Sequence, residues 1–332
     1  MAKETVAAKD TQLAIINELE KKYGKGIIFQ LGSKVSTPVD TISTGIIGLD
    51  SALGIGGIPR GKITEIYSDS GCGKSGICLQ VITNAQKQGL RCAIIDTEHA
   101  LDLAVANLLG VNIDELFVSQ PESGNVALEV CEMLVKSGEF GVIVVDSVAG
   151  LTPVEEINGE YGDAVIGRMA KLMNQAMRKM TPSVNEKNVA LIFTNQIRDN
   201  IGAFGYQETT ITPGGKALKF FSSVRIELKR IQQVKDGDNI VGHRVKCKVV
   251  KNRLSSPFRE SQHEITYGQN AVRLNELVEL GADHKIIEKS GSWFTVGKER
   301  FQGKEKLKSY LVDNPDVANE LEAKIRTELG VA

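Results

Sequence analysis

Lys74 and Ser75 close the segment ITEIYSDSGCGKS (63–75), where an apolar run enters a turn holding Gly71 and Gly73 and an apolar-periodic stretch follows. A strand, a glycine-rich turn and a helix in that order set backbone N–H groups at a helix N-terminus, where they cradle phosphate. In such a turn Lys74 reaches the β- and γ-phosphates, and the Ser75 hydroxyl ligates Mg²⁺. The segment departs from G-x-x-x-x-G-K-[ST] at its first position, which is Ser68, and Gly71 is an added glycine inside the loop. A glycine-rich β-to-α turn that holds no nucleotide reads the same locally, so neighbouring motifs have to decide. VIVVDS (142–147) ends four apolar residues in Asp146, a carboxylate placed to hold Mg²⁺ through water. IIDTEHALD (94–102) sets Glu98 just past another apolar run, where a carboxylate can polarise an attacking water. His99 beside it reads as a structural hydrogen-bonder rather than a metal ligand.

These groups need a scaffold that gathers strand ends. ITEIYS (63–68), CAIIDTE (92–98), GVIVVDS (141–147) and VALIFTNQ (189–196) are short, nearly continuous apolar runs ending in polar residues. Segments of helical periodicity, such as Gly76–Gln88 and Val126–Ser137, lie between them. Buried parallel strands alternating with helices produce that pattern. The predicted class is therefore α/β, a doubly wound or P-loop domain with ligands at the carboxyl ends of the strands. After Phe220 the pattern changes: SVRIELKRI (223–231) and GHRVKCKVVKN (242–252) alternate apolar and polar residues as antiparallel strands do, with KDGDN (235–239) as the turn between them. HEITYG (263–268) adds a further strand, and from about residue 271 a smaller, mainly helical module follows, with a WFTVG strand and an amphipathic stretch over 303–329. At the other end, Leu13, Ile16 and Leu19 recur along an amphipathic helix over 4–23 that Gly24 and Gly26 terminate. Such a helix must bury its stripe on its own domain or on a neighbouring subunit. The expected organisation is an N-terminal oligomerisation segment (1–34), a core (35–270) and a C-terminal domain (271–332).

Forty Lys plus Arg face 41 Asp plus Glu, so nothing in the net charge of −1 attracts nucleic acid globally and local clusters would have to do so. The five cysteines, Cys72, Cys78, Cys92, Cys131 and Cys247, lack zinc-ligand spacing and read as free thiols of a reducing compartment. The N-terminus has no apolar run fit for a signal peptide or membrane span, so no membrane partner and a cytoplasmic location are expected.

DTISTG (40–45), IDTEHALD (95–102), SQPESG (119–124), VIVVDSVAGLTP (142–153), QAMRK (175–179), IFTNQIR (192–198) and VVKNRLSSPF (249–258) together resemble the bacterial RecA family, over nearly the whole chain. The resemblance implies a RecA-like P-loop ATPase core with a mostly parallel twisted sheet, an N-terminal helix and a small α+β C-terminal domain. It implies an ATP- and Mg²⁺-dependent recombinase that forms a helical filament on single-stranded DNA and pairs it with homologous double-stranded DNA. Many relatives also trigger self-cleavage of a repressor, so that partner and an SOS role belong to the expectation.

By the same resemblance, the loop residues Ser68, Asp69, Ser70, Gly71, Cys72, Gly73, Lys74, Ser75 and Gly76 hold ATP, with Asp102 as a further nucleotide contact and Tyr267 near the base. Ser75 and Asp146 hold Mg²⁺, Glu98 activates water, and Gln196 senses the γ-phosphate for a DNA loop. Lys251 and Arg253 are the cations a neighbouring subunit inserts at that phosphate. The two DNA loops correspond to about 156–167 and 197–216, both long and glycine-containing, as functional loops tend to be. Ile166, Lys171, Arg178, Arg198, Gly202, Gly214 and Gly215 are their DNA contacts, the glycines allowing close backbone approach to phosphate. Lys246 and Lys248, on one strand face with Arg244, resemble a secondary surface for the incoming duplex. Such a stripe alone reads more often as a solvated edge than as a DNA site.

The chain also departs from the family. Its loop is SDSGCGKS rather than GPESSGKT, Val105 stands where an aromatic residue is usual, Tyr206 and Pro213 mark a divergent second loop, and the sequence ends without an acidic tail. By the resemblance, that last difference implies duplex capture with less dependence on magnesium. Two other classes remain at this point: another RecA-fold motor, such as a helicase or RadA-like ATPase, and a DNA-binding filament that uses ATP as a switch with little turnover.

Overall fold

The computed structural model describes residues 2–24, 27–28, 39–160, 167–199 and 210–331. The chain divides into a unit of residues 1–39 and a unit of residues 40–332. The first contains helix α1 (Ala2–Tyr23), in which Leu13 is 57 % exposed while Ile16 and Leu19 are half-buried. Gly24, at φ +98°, ends it with its N–H on the Glu20 carbonyl.

The second unit is built on eight strands, β1 (Lys62–Ser68), β2 (Arg91–Asp96), β3 (Leu116–Ser119), β4 (Phe140–Asp146), β5 (Ala190–Gln196), β6 (Val224–Asp236), β7 (Asn239–Asn252) and β8 (Glu260–Thr266). They lie in one sheet in the order β8-β7-β6-β1-β5-β4-β2-β3. Strands β6, β1, β5, β4, β2 and β3 run parallel, and β7 and β8 extend the sheet antiparallel. The expected α/β fold with a mostly parallel sheet is thus present. The short strand β3 carried no clear signal, because Leu116, Phe117 and Val118 are all partly or largely exposed at the sheet edge.

The central strands read as unbroken apolar runs because both faces are covered. Alternate residues belong to different cores: Val142 and Val144 pack with helix α2 (Ile47–Leu53) and helix α3 (Lys74–Lys87) on one side, whereas Ile143 and Val145 pack on the other with two further helices. Those are α4 (Gly124–Ser137) and α5 (Arg168–Glu186), whose Leu128, Cys131, Met173 and Met177 are buried. All five cysteines are buried free thiols.

A third apolar cluster joins α6 (Val272–Asp283), α7 (Lys304–Asp313) and α8 (Pro315–Glu328) with a three-stranded sheet of β9 (Glu288–Ser290), β10 (Trp293–Val296) and β11 (Glu299–Gln302). The expected amphipathic stretch over 303–329 is two helices, since Pro315 cannot continue α7 but opens α8. This module is tied to the sheet domain by a buried carboxylate. Glu276, 3 % exposed, accepts the N–H groups of Ile47 (2.6 Å) and Gly48 (3.0 Å) at the start of α2.

Burial pushes the Glu276 carboxyl up to about 8, against an ordinary 4.5. The folded chain therefore keeps a proton that the unfolded chain loses, and this contribution to stability is lost as pH rises from about 4.5 through about 8. Glu276→Gln sets an amide –NH₂ against one of the two N–H donors and is expected to cost about 1–3 kcal/mol near pH 5. The gap between wild type and variant should narrow toward about pH 8 in urea melts. A gap that stays constant from about pH 5 to 8 would show that the carboxylate is ionised in the fold throughout.

Candidate active site

Four neighbouring parallel strands end together. Ser68 at the end of β1 is level with Gln196 at the end of β5, and Asp146 at the end of β4 is level with Asp96 at the end of β2. The loop from Ser68 to Gly73 leaves β1 here and enters α3 at Lys74. Gly71 and Gly73 take φ of +70° and +91°, conformations that side chains other than glycine resist. A Cβ on Gly73 would stand 2.7 Å from Ile265 Cδ1, and one on Gly71 2.9 Å from Arg230 Nη2. Arg230 Nη2 also donates to the Gly71 carbonyl at 2.7 Å, so β6 braces the loop. Cys72 is buried beneath it, and Ser68 donates to the Asp69 carbonyl at 2.6 Å.

Lys74 Nζ is buried among Ser68 Oγ (3.0 Å), Asp69 O (3.1 Å) and Ser68 O (3.4 Å). Burial pushes its pKa down, while the negative potential of Cys72, Asp146, Glu98 and Asp69 opposes that shift. Glu98, beyond β2, accepts hydrogen bonds from Gln196 Nε2 (2.8 Å) and from the Ser147 hydroxyl. Asp146 accepts from the Thr194 hydroxyl. Asp96 accepts the N–H groups of Ala100 (3.2 Å) and Leu101 (3.1 Å) and the Gln120 amide (3.0 Å), which fixes the turn carrying Glu98. Ser75, Gly76, Glu98, Asp102, Val105 and Asp146 line a cavity of about 200 Å³.

The donor set fits a nucleoside triphosphate with a hard cation. An ammonium, the uncapped N–H groups at the start of α3 and a turn with left-handed glycines, Gly71 and Gly73, adjoin one another. Ser75 and Asp146 bring to the cavity the oxygen ligands that Mg²⁺ takes.

The two nucleotide contacts predicted outside the loop are arranged differently from each other. Asp102 lines the cavity, but its carboxylate caps the helical turn Leu103–Leu108 through Ala104 N (2.7 Å) and Val105 N (3.2 Å). Tyr267 is not among the residues lining the cavity. It lies just beyond β8, two residues past Ile265, with its hydroxyl 3.0 Å from His243 Nδ1.

Lys251 and Arg253 stand apart from Lys74. Lys251 Nζ donates to the carbonyls of Lys219 (2.7 Å) and Phe220 (3.0 Å), and Arg253 Nη2 to that of Phe220 (2.9 Å), at the end of the short helix Ala217–Phe221. Lys171 and Arg178 are exposed two turns apart on α5. Arg198 is exposed where Arg198–Asp199 pairs with Thr210–Ile211, the base of the second loop. Ile166, Gly202 and Tyr206 lie outside the described residues.

Gly214 and Gly215 have φ of +86° and +68°. Their side-chain space is taken by Val148 and Met173 and by Ala170, respectively, so packing of the loop root on α5 is what requires glycine there. Lys246 and Lys248 share one face, as alternation predicts, but both pair with Glu260 (2.6 and 3.6 Å), and Arg244 pairs with Glu279 and Glu264. The stripe is neutralised by its own strand neighbour.

Sequence reasoning missed Ser147, Thr194 and Asp96. Each is a polar residue at or near a strand end, within two positions of one already singled out, and that proximity was the available signal.

A family model described as the RecA N-terminal domain matches residues 10–272, and one described as the RecA C-terminal domain matches residues 275–330. Protein RecA of Mycolicibacterium smegmatis is 49 % identical over 316 residues, covering 95 % of this chain and 90 % of that one. Protein RecA of Mycobacterium marinum is 47 % identical over 333 residues (100 % and 95 %), and that of Macrococcus caseolyticus 49 % over 319 residues (96 % and 90 %).

Burial and the adjacent Arg253 and Arg225 push Lys251 down to about 8, with Glu65 opposing. Without nucleotide or DNA, competitive acetylation read by mass spectrometry should show Lys251 reaching half its maximal reactivity near pH 8, charged below and neutral above. A profile matching exposed lysines, about 10.4, would contradict this.

Proposed function

From the premise that the chain belongs to the RecA family, we propose how its residues divide the work of a DNA-dependent ATPase that acts as a recombinase in DNA recombination and repair. The observation that carries this reading is the convergence of Lys74, Glu98, Asp146 and Gln196 at adjoining strand ends, with Glu98 bonded to Gln196. ATP is the nucleotide. Its phosphates lie against the loop from Ser68 to Gly76, and Lys74 exchanges its bonds to the Ser68 and Asp69 oxygens for phosphate oxygens. Ser75 and Asp146 hold Mg²⁺, which when bound offsets phosphate charge. Glu98 takes the proton of the water whose oxygen bonds to the γ-phosphorus, while the bond from that phosphorus to the leaving nucleoside diphosphate breaks.

Gln196 links the two activities. Its amide donates to Glu98 Oε1, and it stands at the root of the second loop. A phosphate that draws Gln196 away frees the Glu98 carboxylate and alters the loop. Lys251 and Arg253, remote from Lys74 in their own chain, complete the site of a neighbouring subunit. Hydrolysis then depends on head-to-tail assembly, which makes helical filaments rather than closed dimers.

Residues 1–34 are the arm that joins subunits, 35–270 the ATPase core and 271–332 the C-terminal domain. Single-stranded DNA binds along the loops, with Lys171, Arg178 and Arg198 toward its phosphates. Double-stranded DNA approaches Lys246 and Lys248 and competes with Glu260 for them. No described helix is long and apolar enough to cross a membrane; the proposed location is the cytoplasm.

Phosphate release measured with and without single-stranded DNA tests the assignment. Glu98→Gln should lower DNA-stimulated release by about 10²- to 10⁴-fold while nucleotide binding persists. Lys74→Ala should abolish turnover, and chelation of Mg²⁺ should do the same in wild type. DNA-stimulated release at the wild-type rate in either variant would show that the site is misassigned.

A further inference from the structure

Asn195 immediately precedes Gln196, and adjacent strand residues project to opposite faces of the sheet. Gln196 reaches Glu98, whereas Asn195 points to the face covered by α5. There its side chain is buried and its three contacts tie together three parts of the molecule. Nδ2 donates to Glu65 Oε1 (3.0 Å) and to the Pro213 carbonyl (3.1 Å), and Oδ1 accepts the main-chain N–H of Gln196 (3.0 Å).

Each of those partners leads somewhere. Pro213 closes the second loop just before Gly214 and Gly215 pack on α5. Glu65, fully buried on β1, also accepts Arg225 Nε from β6. Arg225 stacks its guanidinium 4.7 Å from the Tyr67 ring centre and is level with Lys251 on β7. Arg225 also lines a cavity of about 670 Å³ with Gly167, Thr212, Gly214 and Lys216, at the closing ends of both loops.

We infer that Asn195 is a positioning residue: its carboxamide transmits the placement of Gln196 to the closing end of the second loop at Pro213 and, through Glu65 and Arg225, to Lys251. The physical basis is that all three bonds are made by one rigid planar group that is itself fully buried. The Gln196 peptide cannot turn without moving the Asn195 amide or breaking a bond that no water replaces. The Glu65–Arg225 ion pair holds the other side fixed, since a buried carboxylate keeps its partners. Each subunit thereby links the nucleotide it binds to the cation it offers its neighbour. The inference rests on Gln196 and Lys251 having the roles proposed above.

The test compares single-stranded DNA affinity with and without the slowly hydrolysed analogue adenosine 5′-(γ-thio)triphosphate, in the full-length wild type and Asn195→Ala. Equilibrium dialysis of the analogue and thermal melting are run on both. Coupling between sites commonly amounts to about 5- to 150-fold. The analogue should tighten DNA binding by an amount in that range in wild type and by less than about twofold in the variant, which still binds the analogue. Hydrogen exchange of residues 210–216 gives a second reading: the analogue should slow it in wild type and not in the variant.

A variant that keeps the wild-type affinity ratio and protection overturns the inference. So does one that no longer binds the analogue, because Asn195 would then be part of the nucleotide site's framework. If wild type itself shows no effect of the analogue, the reading of Gln196 fails, whatever the variant does. Should Asn195→Ala unfold, Asn195→Ser, too short to span Glu65 and Pro213 but polar, is measured against the same outcomes.

Discussion

Parallel strands all finish at the same edge of a sheet, and the chemistry of this protein hangs from that edge. The order β6-β1-β5-β4-β2 places Ser68, Gln196, Asp146 and Asp96 at neighbouring strand ends. Strands lie about 4.8 Å apart, so side chains leaving adjacent ends meet without long loops to position them. Helices on both faces hold the edge still: α3 from one side, α4 and α5 from the other. Lose either layer and the strand ends lose their common level, and with it the Glu98–Gln196 hydrogen bond.

Electrostatics are local here, because the net charge is close to zero. Several cations suited to phosphate are engaged within the chain: Lys74 on loop oxygens, Lys251 and Arg253 on helix-end carbonyls, Lys246 and Lys248 on Glu260. A polyanion gains contacts with them only by replacing these partners. Partner exchange costs less than desolvating a free charge, but it lowers the net gain per contact. At the proposed duplex contact on the Lys246 stripe, a polyanion would compete with Glu260, and added salt would weaken both interactions.

Backbone shape matters as much as charge at two places. Gly71 and Gly73 turn the phosphate loop through left-handed conformations, with Arg230 and Ile265 packed where side chains would project. Gly214 and Gly215 do the same at the root of the second loop, against Val148, Met173 and Ala170. In both cases glycine lets backbone pack closely on another element, and the loop is anchored at a defined point on the sheet domain.

The sequence by itself determined the fold class and the principal groups of the site. Continuous apolar runs such as VIVVD, bounded by polar residues and alternating with helical segments, read as strands covered on both faces, and Lys74, Ser75, Asp146 and Glu98 sit at fixed offsets from the ends of such runs. Those offsets are local, so they are legible along the chain. What only the tertiary structure decided is which distant residues share a space. Ser147 and Gln196 both reach Glu98, Asn195 spans Glu65 and Pro213, Glu260 neutralises Lys246, and Glu276 caps α2 from the C-terminal module. Each of these depends on strand order and register, which arise from packing among segments far apart in sequence. Residue types along a strand state which faces are buried; they do not state which neighbour lies across the hydrogen bonds.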